Sequence, residues 1–451
     1  MVPQIRRNII EPLWAINAKS PFLNYWKLLD KRQYLPEDTL LKDQWKKVKE
    51  IIQYAYVNNN YYKNVLDTYG VKPDDIQDRA DIKKIPITTK KDIKKHCDKM
   101  ISKGFKKESL LKAKTGGSTG TPLELYRTEH CAHLKMAATR RSDIWSGWKP
   151  GEPIGAVWGN PEYPTTFKEK LRDTLISPFI YLDTMRLDKK AVLKFADAWQ
   201  KKKPTLLFGH SHSIYLLATF CEQLGVSKIR PKAIISTSMM LLSRERKAIE
   251  KVFGVKVFDR YGCEEVSLIA SECEKHEGLH INIDHLFVEF IKPDGTAALP
   301  GEEGKIVVTD LLNKAMPMIR YKVEDVGIPS QRKCSCGRGL PLMKAVSGRI
   351  ADFLIREDGS HVAGVSLIER TVTAIQGIVQ MQIIQESIKL IQLNIVTNDT
   401  FRNEDRNQLR NEFIDVFGQG VKIIINNVKS IRQEKSGKYR FSISKIEKSQ
   451  S

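Results

Sequence analysis

The sequence predicts an α/β protein. A large N-terminal domain of several subdomains would carry mainly parallel sheets plus a more antiparallel subdomain, followed by a small α+β C-terminal domain. Three observations predict this. Short apolar runs alternate with amphipathic stretches from Leu123 to Arg260, the rhythm of strand–helix crossover units. From His280 the rhythm gives way to longer strand-like runs separated by turn signals. After Gly348 a short tail reads strand, helix, strand.

The elements follow in order. Leu41, Trp45, Val48, Ile52 and Tyr56 recur at helical spacing, which predicts helix from Leu41 to about Leu66. Thr89 and Asp92 form a capping box that opens another helix. Strands are predicted at Leu123–Arg127, Pro153–Trp158, Thr205–Gly209, Ala233–Thr237 and Val255–Arg260. Helices are predicted at Glu129–Trp145, Lys189–Lys201, Ile214–Leu224 and Arg244–Phe253. Ile281–Ile291 and Gly304–Leu311 read as strands around a Pro293-Asp-Gly295 turn. In the tail, Leu390–Val396 and Val421–Ile425 read as strands, with a helix at Asp405–Phe417 between them.

The chain of 451 residues is 41% apolar, enough for a large core and against wholesale disorder. It has no run of 18 apolar residues and no unbroken apolar N-terminal stretch, so a cytoplasmic enzyme is expected. The formal charge of +21 favours anionic partners: a nucleotide, coenzyme A, an acidic polysaccharide or a membrane surface. The basic residues lie in short clusters such as Lys201-Lys-Lys203, without a nucleic-acid-binding signature, so no nucleic-acid partner is expected. The seven cysteines do not read as a disulfide framework.

Thr115-Gly-Gly-Ser-Thr-Gly-Thr-Pro122 precedes a predicted strand. Gly116, Gly117 and Gly120 let the backbone approach an anion, and successive N–H groups can form a nest around it. Ser118, Thr119 and Thr121 add hydroxyl donors. The spacing is neither that of a Walker loop nor that of a dinucleotide fingerprint. The run resembles the phosphate loop of the adenylate-forming superfamily of acyl-CoA synthetases and adenylation domains. Within it, the form is most similar to the phenylacetate–CoA ligase branch, especially CapK-like members associated with capsular polysaccharide genes.

Four further motifs follow in that family's order. Asp259-Arg-Tyr-Gly-Cys-Glu-Glu265 resembles its Tyr-Gly-x-x-Glu motif. The resemblance implies that Tyr261 stacks on adenine and that Glu265 holds Mg2+, with Glu264 as an alternative acid. It also adds Ser236, Asp259 and Gly262 to the ATP-binding set. Met318-Ile-Arg-Tyr-Lys-Val-Glu-Asp325 resembles Arg-Tyr-x-x-x-Asp, which assigns Asp325 to the ribose hydroxyls. Ser347-Gly-Arg-Ile-Ala-Asp352 resembles the interdomain hinge, with Asp352 the pivot and Arg349 a nucleotide contact. Glu434-Lys-Ser-Gly-Lys-Tyr-Arg440 resembles the C-terminal lysine motif, which makes Lys438 the catalytic cation and Lys435 its competitor. The implied domains are 1–348, a hinge at 349–352, and a mobile 353–451.

Cys334-Ser-Cys336-Gly is a short knuckle, and Cys273 with His280 or His276 lies upstream. Three thiolates and an imidazole would make a closed structural Zn2+ site, and separate cysteines are the alternative. Trp158, Phe208 and His210, with His212 and Tyr215 nearby, fall at strand ends or helix starts near the family's acyl pocket. The resemblance thus implies ATP- and Mg2+-dependent activation of a small carboxylic acid as its acyl-adenylate. The acceptor is open between coenzyme A and an amine or sugar, and a non-catalytic nucleotide- or polysaccharide-binding relative is the third reading. Neither the acid nor the oligomeric state follows from the sequence.

Overall fold

The computed structural model describes residues 3–114, 123–159, 166–167, 170–171, 175, 178–347, 353–431 and 442–446. Two strands, β1 (Leu111–Lys114) and β2 (Glu124–Arg127), form an antiparallel hairpin whose ends flank the glycine-rich run. The strand predicted at Leu123–Arg127 therefore belongs to this hairpin and not to the parallel sheet.

The parallel unit consists of β3 (Ile154–Trp158), β4 (Phe179–Asp183), β5 (Leu206–His210), β6 (Ala233–Thr237) and β7 (Val257–Cys263). Their order is β4-β3-β5-β6-β7, all parallel. The central strands are apolar runs because helices cover the sheet. The helix Lys189–Lys202 buries Val192, Phe195, Ala196 and Trp199 as one stripe, and the Asp188 carboxylate caps it by accepting from Ala191 N at 2.7 Å. Trp199 packs where Gly155 leaves space, since a Cβ there would lie 2.1 Å from its ring.

At β7 the sheet changes sense. The chain turns at Glu264–Val266 and returns as β8 (Ser267–Glu272), antiparallel to β7. It continues through β9 (Leu279–Ile281), β10 (Leu286–Ile291), β11 (Gly304–Asp310), β12 (Tyr321–Pro329) and β13 (Leu342–Ser347). Among the described residues, one eleven-stranded sheet thus joins the expected parallel and antiparallel parts.

Two predicted elements are interrupted. The helix expected from Leu41 to Leu66 is two, Glu37–Asn58 and Asn60–Thr68. Asn59 leaves the helical conformation at φ −123° and caps the second helix, accepting from Tyr62 N at 3.2 Å. The strand expected over Ile281–Ile291 breaks at 282–285. There Asp284 is buried against Arg141 (2.5 Å) and Arg32 (3.3 Å), and Arg141 also binds Asn282. A turn that aims these polar groups inward replaces strand pairing, because the buried Arg141 needs its partners. The helices Glu11–Asn17 and Phe22–Arg32 were not anticipated, since Pro3, Pro12 and Pro21 obscure their periodicity.

The core of the C-terminal part includes Leu354, Leu367, Ile383, Leu393, Phe413 and Ile423, and Met185 from the segment after β4 is buried in it. After the hairpin β14 (Phe353–Ile355) and β15 (His361–Ala363) come β16 (Ile378–Ser387), β17 (Leu390–Thr397), β18 (Lys422–Asn427) and β19 (Ser442–Ser444). These last four form a sheet in the order β18-β17-β16-β19. Arg356 Nη2 donates to Met185 O at 2.6 Å, and Arg186 lies 3.6 Å from Asp358, so the segment after β4 touches this part. Among the described residues no helix is long and apolar enough to cross a membrane.

Gly209 sits between Phe208 and His210, where a Cβ would lie 2.5 Å from Val157 O on the neighbouring strand. Gly209→Ala should push β3 and β5 apart and lower stability by about 1–3 kcal/mol, measured by urea unfolding.

Candidate functional site

The site lies at the carboxyl ends of the parallel strands, where open α/β sheets place their ligand crevices. Ser236 near the end of β6 pairs in register with Asp259 on β7. The Ser236 hydroxyl, fully buried, donates to Asp259 Oδ1 at 3.4 Å. Asp259 N donates to Glu272 Oε2 at 2.8 Å, and Arg246 Nη2 holds both Glu272 oxygens at 2.9 and 3.0 Å. Burial, and secondarily the Glu272 charge, raise the Asp259 carboxyl to about 7.

Past Asp259, the Tyr261 hydroxyl donates to Asp325 Oδ2 at 3.1 Å. The next contact runs the other way between the same two segments: the Tyr321 hydroxyl donates to Glu265 Oε1 at 2.9 Å. Two sequence motifs are therefore laced together by reciprocal bonds. Gly262 permits the close approach of β8 to β7 at their reversal, because a Cβ there would meet Ser267 O at 2.6 Å. Glu265 is buried, and Lys90 Nζ lies 3.9 Å from its carboxylate. Glu264, by contrast, is exposed and pairs with Arg127 Nη2 at 2.9 Å. Arg127 ends β2, so this pair brings the flank of the glycine-rich run to the Glu264–Glu265 turn. Ala113, Arg127, Lys135 and Glu265 line one small cavity there.

A cluster of rings occupies the ends of β3 and β5. Trp158 and Phe208 stack at 5.5 Å and 7°, and His210 lies 4.1 Å from Trp158. The Arg260 guanidinium sits 4.8 Å over Phe208 and is held by Asp143 at 2.8 Å. His210 is buried, which depresses its pKa to about 4 and keeps it neutral, and its Nδ1 has no hydrogen-bond partner among the described residues. His212 instead binds Glu245 and packs near Tyr215 at 5.8 Å.

The fourth grouping is Cys273, His280, Cys334 and Cys336, whose ligand atoms all lie within 4.8 Å of one another. Cys273 and Cys334 sulfurs are 3.6 Å apart, and Cys336 Sγ lies 3.3 Å from His280 Nε2. His280 Nδ1 is bound to Leu340 O at 3.0 Å, which leaves Nε2 facing the sulfurs. Backbone N–H groups of Lys275 and Arg338 point at Cys273 Sγ and Cys336 Sγ, at 3.5 and 3.4 Å. His276 is turned away, bound to Glu272 at 3.2 Å. The donor set is one that suits a tetrahedral divalent metal.

Thr115–Pro122, Arg349, Asp352, Lys435 and Lys438 lie outside the described residues. Lys90, Arg127, Tyr321 and Arg260 also border the site and are not marked out by the sequence. Tyr321 and Arg260 lie inside the Arg-Tyr and Tyr-Gly motifs, and Arg127 closes a predicted strand. Lys90 follows the Thr89 cap, but only tertiary pairing brings it to Glu265: Thr88 N donates to Arg320 O and Lys322 N to Thr88 O, each at 2.9 Å.

Residues 354–445 match the family model of the CapK C-terminal domain. A phenylacetate-coenzyme A ligase from Thermus thermophilus is 26% identical over 331 residues, covering 71% of this chain and 73% of that protein. Protein CapK from Staphylococcus aureus is 25% identical over 412 residues, 90% of each chain. The chain is a homologue of phenylacetate–coenzyme A ligases and of CapK. Among solved structures, 2-hydroxyisobutyryl-CoA ligase in its thioesterification state matches 92% of each chain with a TM-score of 0.64 at 16% identity. Its open conformation matches with a TM-score of 0.58 over 91% of this chain and 93% of that one, at 17% identity. This likeness gives the chain the fold of an adenylate-forming ligase.

The raised Asp259 carboxyl predicts a pH effect on stability. Its folded pKa lies above the unfolded value, so its stabilising contribution is full below about pH 4 and is lost as pH rises through about 7. Asp259→Asn should remove that component and flatten the fall in melting temperature between pH 5 and pH 8, each roughly spanning the titration.

Proposed function

We propose that this protein is an ATP-dependent, AMP-forming acid ligase that activates a small carboxylic acid as its acyl-adenylate and passes the acyl group to coenzyme A. The observation that carries this reading is the reciprocal pairing of Tyr261 with Asp325 and of Tyr321 with Glu265. It sets an aromatic ring, a carboxylate with oxygens to accept from a diol, and a buried acid beside one another at the sheet's carboxyl edge. The homology to phenylacetate–coenzyme A ligases supports it.

In the first step one oxygen of the acid attacks the α-phosphorus of ATP, and the bond to pyrophosphate breaks. In the second the acceptor thiol attacks the acyl carbon, and AMP leaves with the oxygen that bridged them. We assign Tyr261 to the adenine face, Asp325 to the ribose, and Thr115–Thr121 to the phosphates. Ser236, Asp259 and Gly262 shape the floor of this nucleotide site. Glu265 would hold the Mg2+ that neutralises phosphate charge; a buried carboxylate fixed by Tyr321 and facing Lys90 fits that task. Lys438 would stabilise charge at the α-phosphate, and residues 353–451 would turn about Asp352, with Arg349 alongside, between the two steps. Trp158, Phe208 and His210 would form the acid's pocket. Dependence on ATP and coenzyme A would suit a cytoplasmic reaction.

The Cys273, His280, Cys334 and Cys336 cluster fits a structural Zn2+ ion, which would clamp β9 to the knuckle before β13. Its role would be to fasten the sheet beside the site. One zinc per chain is expected by elemental analysis of protein purified without chelator. Cys334→Ser with Cys336→Ser should abolish it and lower the melting temperature, whereas zinc-free protein of unchanged melting temperature would remove the ion from the structure.

A second reading is favoured by the CapK homology, which covers 90% of each chain and includes the matched C-terminal family. In it the acceptor is an amine or hydroxyl of a surface polysaccharide. Exchange of labelled pyrophosphate into ATP, driven by a panel of acids, tests activation itself; no exchange with any acid would leave the non-catalytic relative. Adding coenzyme A or an amino sugar to the active mixture then separates the acceptors by product mass. Tyr321→Phe should slow exchange roughly 3- to 10-fold by leaving Glu265 short of one hydrogen bond.

A further inference from the structure

The helical run Pro3–Asn17 has two contrasting faces. Its inner face is fastened to the body of the protein. Arg6 Nη1 donates to Gly151 O at 3.1 Å, Glu11 pairs with Arg140, and Trp14 meets His133 edge-on at 6.2 Å. Gly151 is needed for this approach, since a Cβ there would lie 2.6 Å from Pro3 O. The outer face carries Ile5, Ile9, Leu13 and Ile16, with 43, 53, 61 and 74% of their surface exposed. The steps between them are four, four and three residues, so they form one apolar stripe along the helix. Leu28, on the next helix, is also 50% exposed.

The charge around the stripe is one-sided. Residues 3–34 carry six basic side chains against two acidic ones, and Glu11 is already engaged by Arg140. Lys19, Lys27 and Lys31 are exposed. A second copy of the chain would set this basic rim against itself across a two-fold axis, in a molecule that already carries +21. An anionic bilayer offers the complementary partner for both features: acyl chains for the stripe and headgroup charge for the lysines. The run is too short to span a bilayer and its inner face is committed to the protein, so it can only lie in the interface plane.

We propose that the helical run Pro3–Asn17 docks this protein on an anionic lipid surface through Ile5, Ile9, Leu13 and Ile16. The docking is reversible, because the buried stripe is shallow and the lysine contribution is screened by salt. It goes beyond the ligase reading and is independent of it: either can fail while the other stands.

The test is sedimentation of the full chain with vesicles of phosphatidylcholine alone or mixed with phosphatidylglycerol. The wild type should pellet with the mixed vesicles and stay in solution with the neutral ones, and raised salt should weaken the association. Leu13→Asp with Ile16→Asp should cut the bound fraction at least tenfold while melting temperature and pyrophosphate exchange are unchanged. Lys19→Glu with Lys27→Glu should weaken binding to the mixed vesicles alone. The proposal is overturned if the wild type ignores both vesicles, or if the double aspartate variant binds as well as wild type. It is equally overturned if light scattering shows a wild-type dimer that the double aspartate variant dissolves, which would make the stripe a self-association face.

Discussion

A buried carboxylate must be matched by donors or cations, and Glu265 meets that requirement by drawing three remote segments together. Tyr321 donates to it from β12, Lys90 faces it from the segment bridged to β12 through Thr88, and Glu265 itself sits at the turn between β7 and β8. Without those partners an ionised carboxylate at this depth would be strongly disfavoured. The same turn holds Glu264 against Arg127, which ties in the hairpin that flanks the glycine-rich run. The positions of Tyr261, Asp325 and Arg127 thus depend on one electrostatic constraint at the point where the sheet changes from parallel to antiparallel.

The surrounding ion pairs serve the same geometry. Lys135 and Asp310 pair at 2.5 Å in the interior, between the helix Glu129–Asp143 and the end of β11. Arg320 is held by both oxygens of Glu289 at 3.0 and 3.1 Å while its φ is +48°, so the residue before Tyr321 is fixed in the left-handed region. That turn aims Tyr321 at Glu265 and leaves Asp325 opposite Tyr261. Breaking a buried pair of this kind costs more than the pair itself contributes, because the remaining charge is stranded. The framework around Glu265 is therefore held by paired charges, while the core of the C-terminal part takes in Met185 of the preceding part, whose carbonyl also accepts from Arg356.

Much of this was legible from residue patterns. The crossover strands at Ala233–Thr237 and Ile154–Trp158 are short apolar runs, and local pattern suffices where a strand is covered on both faces. The Thr89–Asp92 capping box formed as the residues indicate, with Thr89 N bound to Asp92 at 2.9 Å. The four zinc-type donors converge although 61 residues separate Cys273 from Cys334, because β9 and β13 pair directly and bring the clusters together. The break at 282–285 was not legible, since nothing local announces that Asn282 and Asp284 turn inward to Arg141. Lys90 was missed for the same reason: its partner is set by long-range pairing of Thr88 with β12. The family resemblance supplied the roles proposed for Tyr261, Glu265 and Asp325, and the structure supplied the way their segments interlock.

The central claim is that a carboxylate oxygen becomes bonded to the α-phosphorus of ATP. It is tested most directly by supplying an active acid, phenylacetate first, with both carboxylate oxygens as oxygen-18, together with ATP, Mg2+ and coenzyme A, and measuring the nucleotide product by mass spectrometry. Attack through the carboxylate predicts AMP that carries one heavy oxygen, with the thioester retaining the other. Unlabelled AMP, or ADP in its place, would contradict an acyl-adenylate.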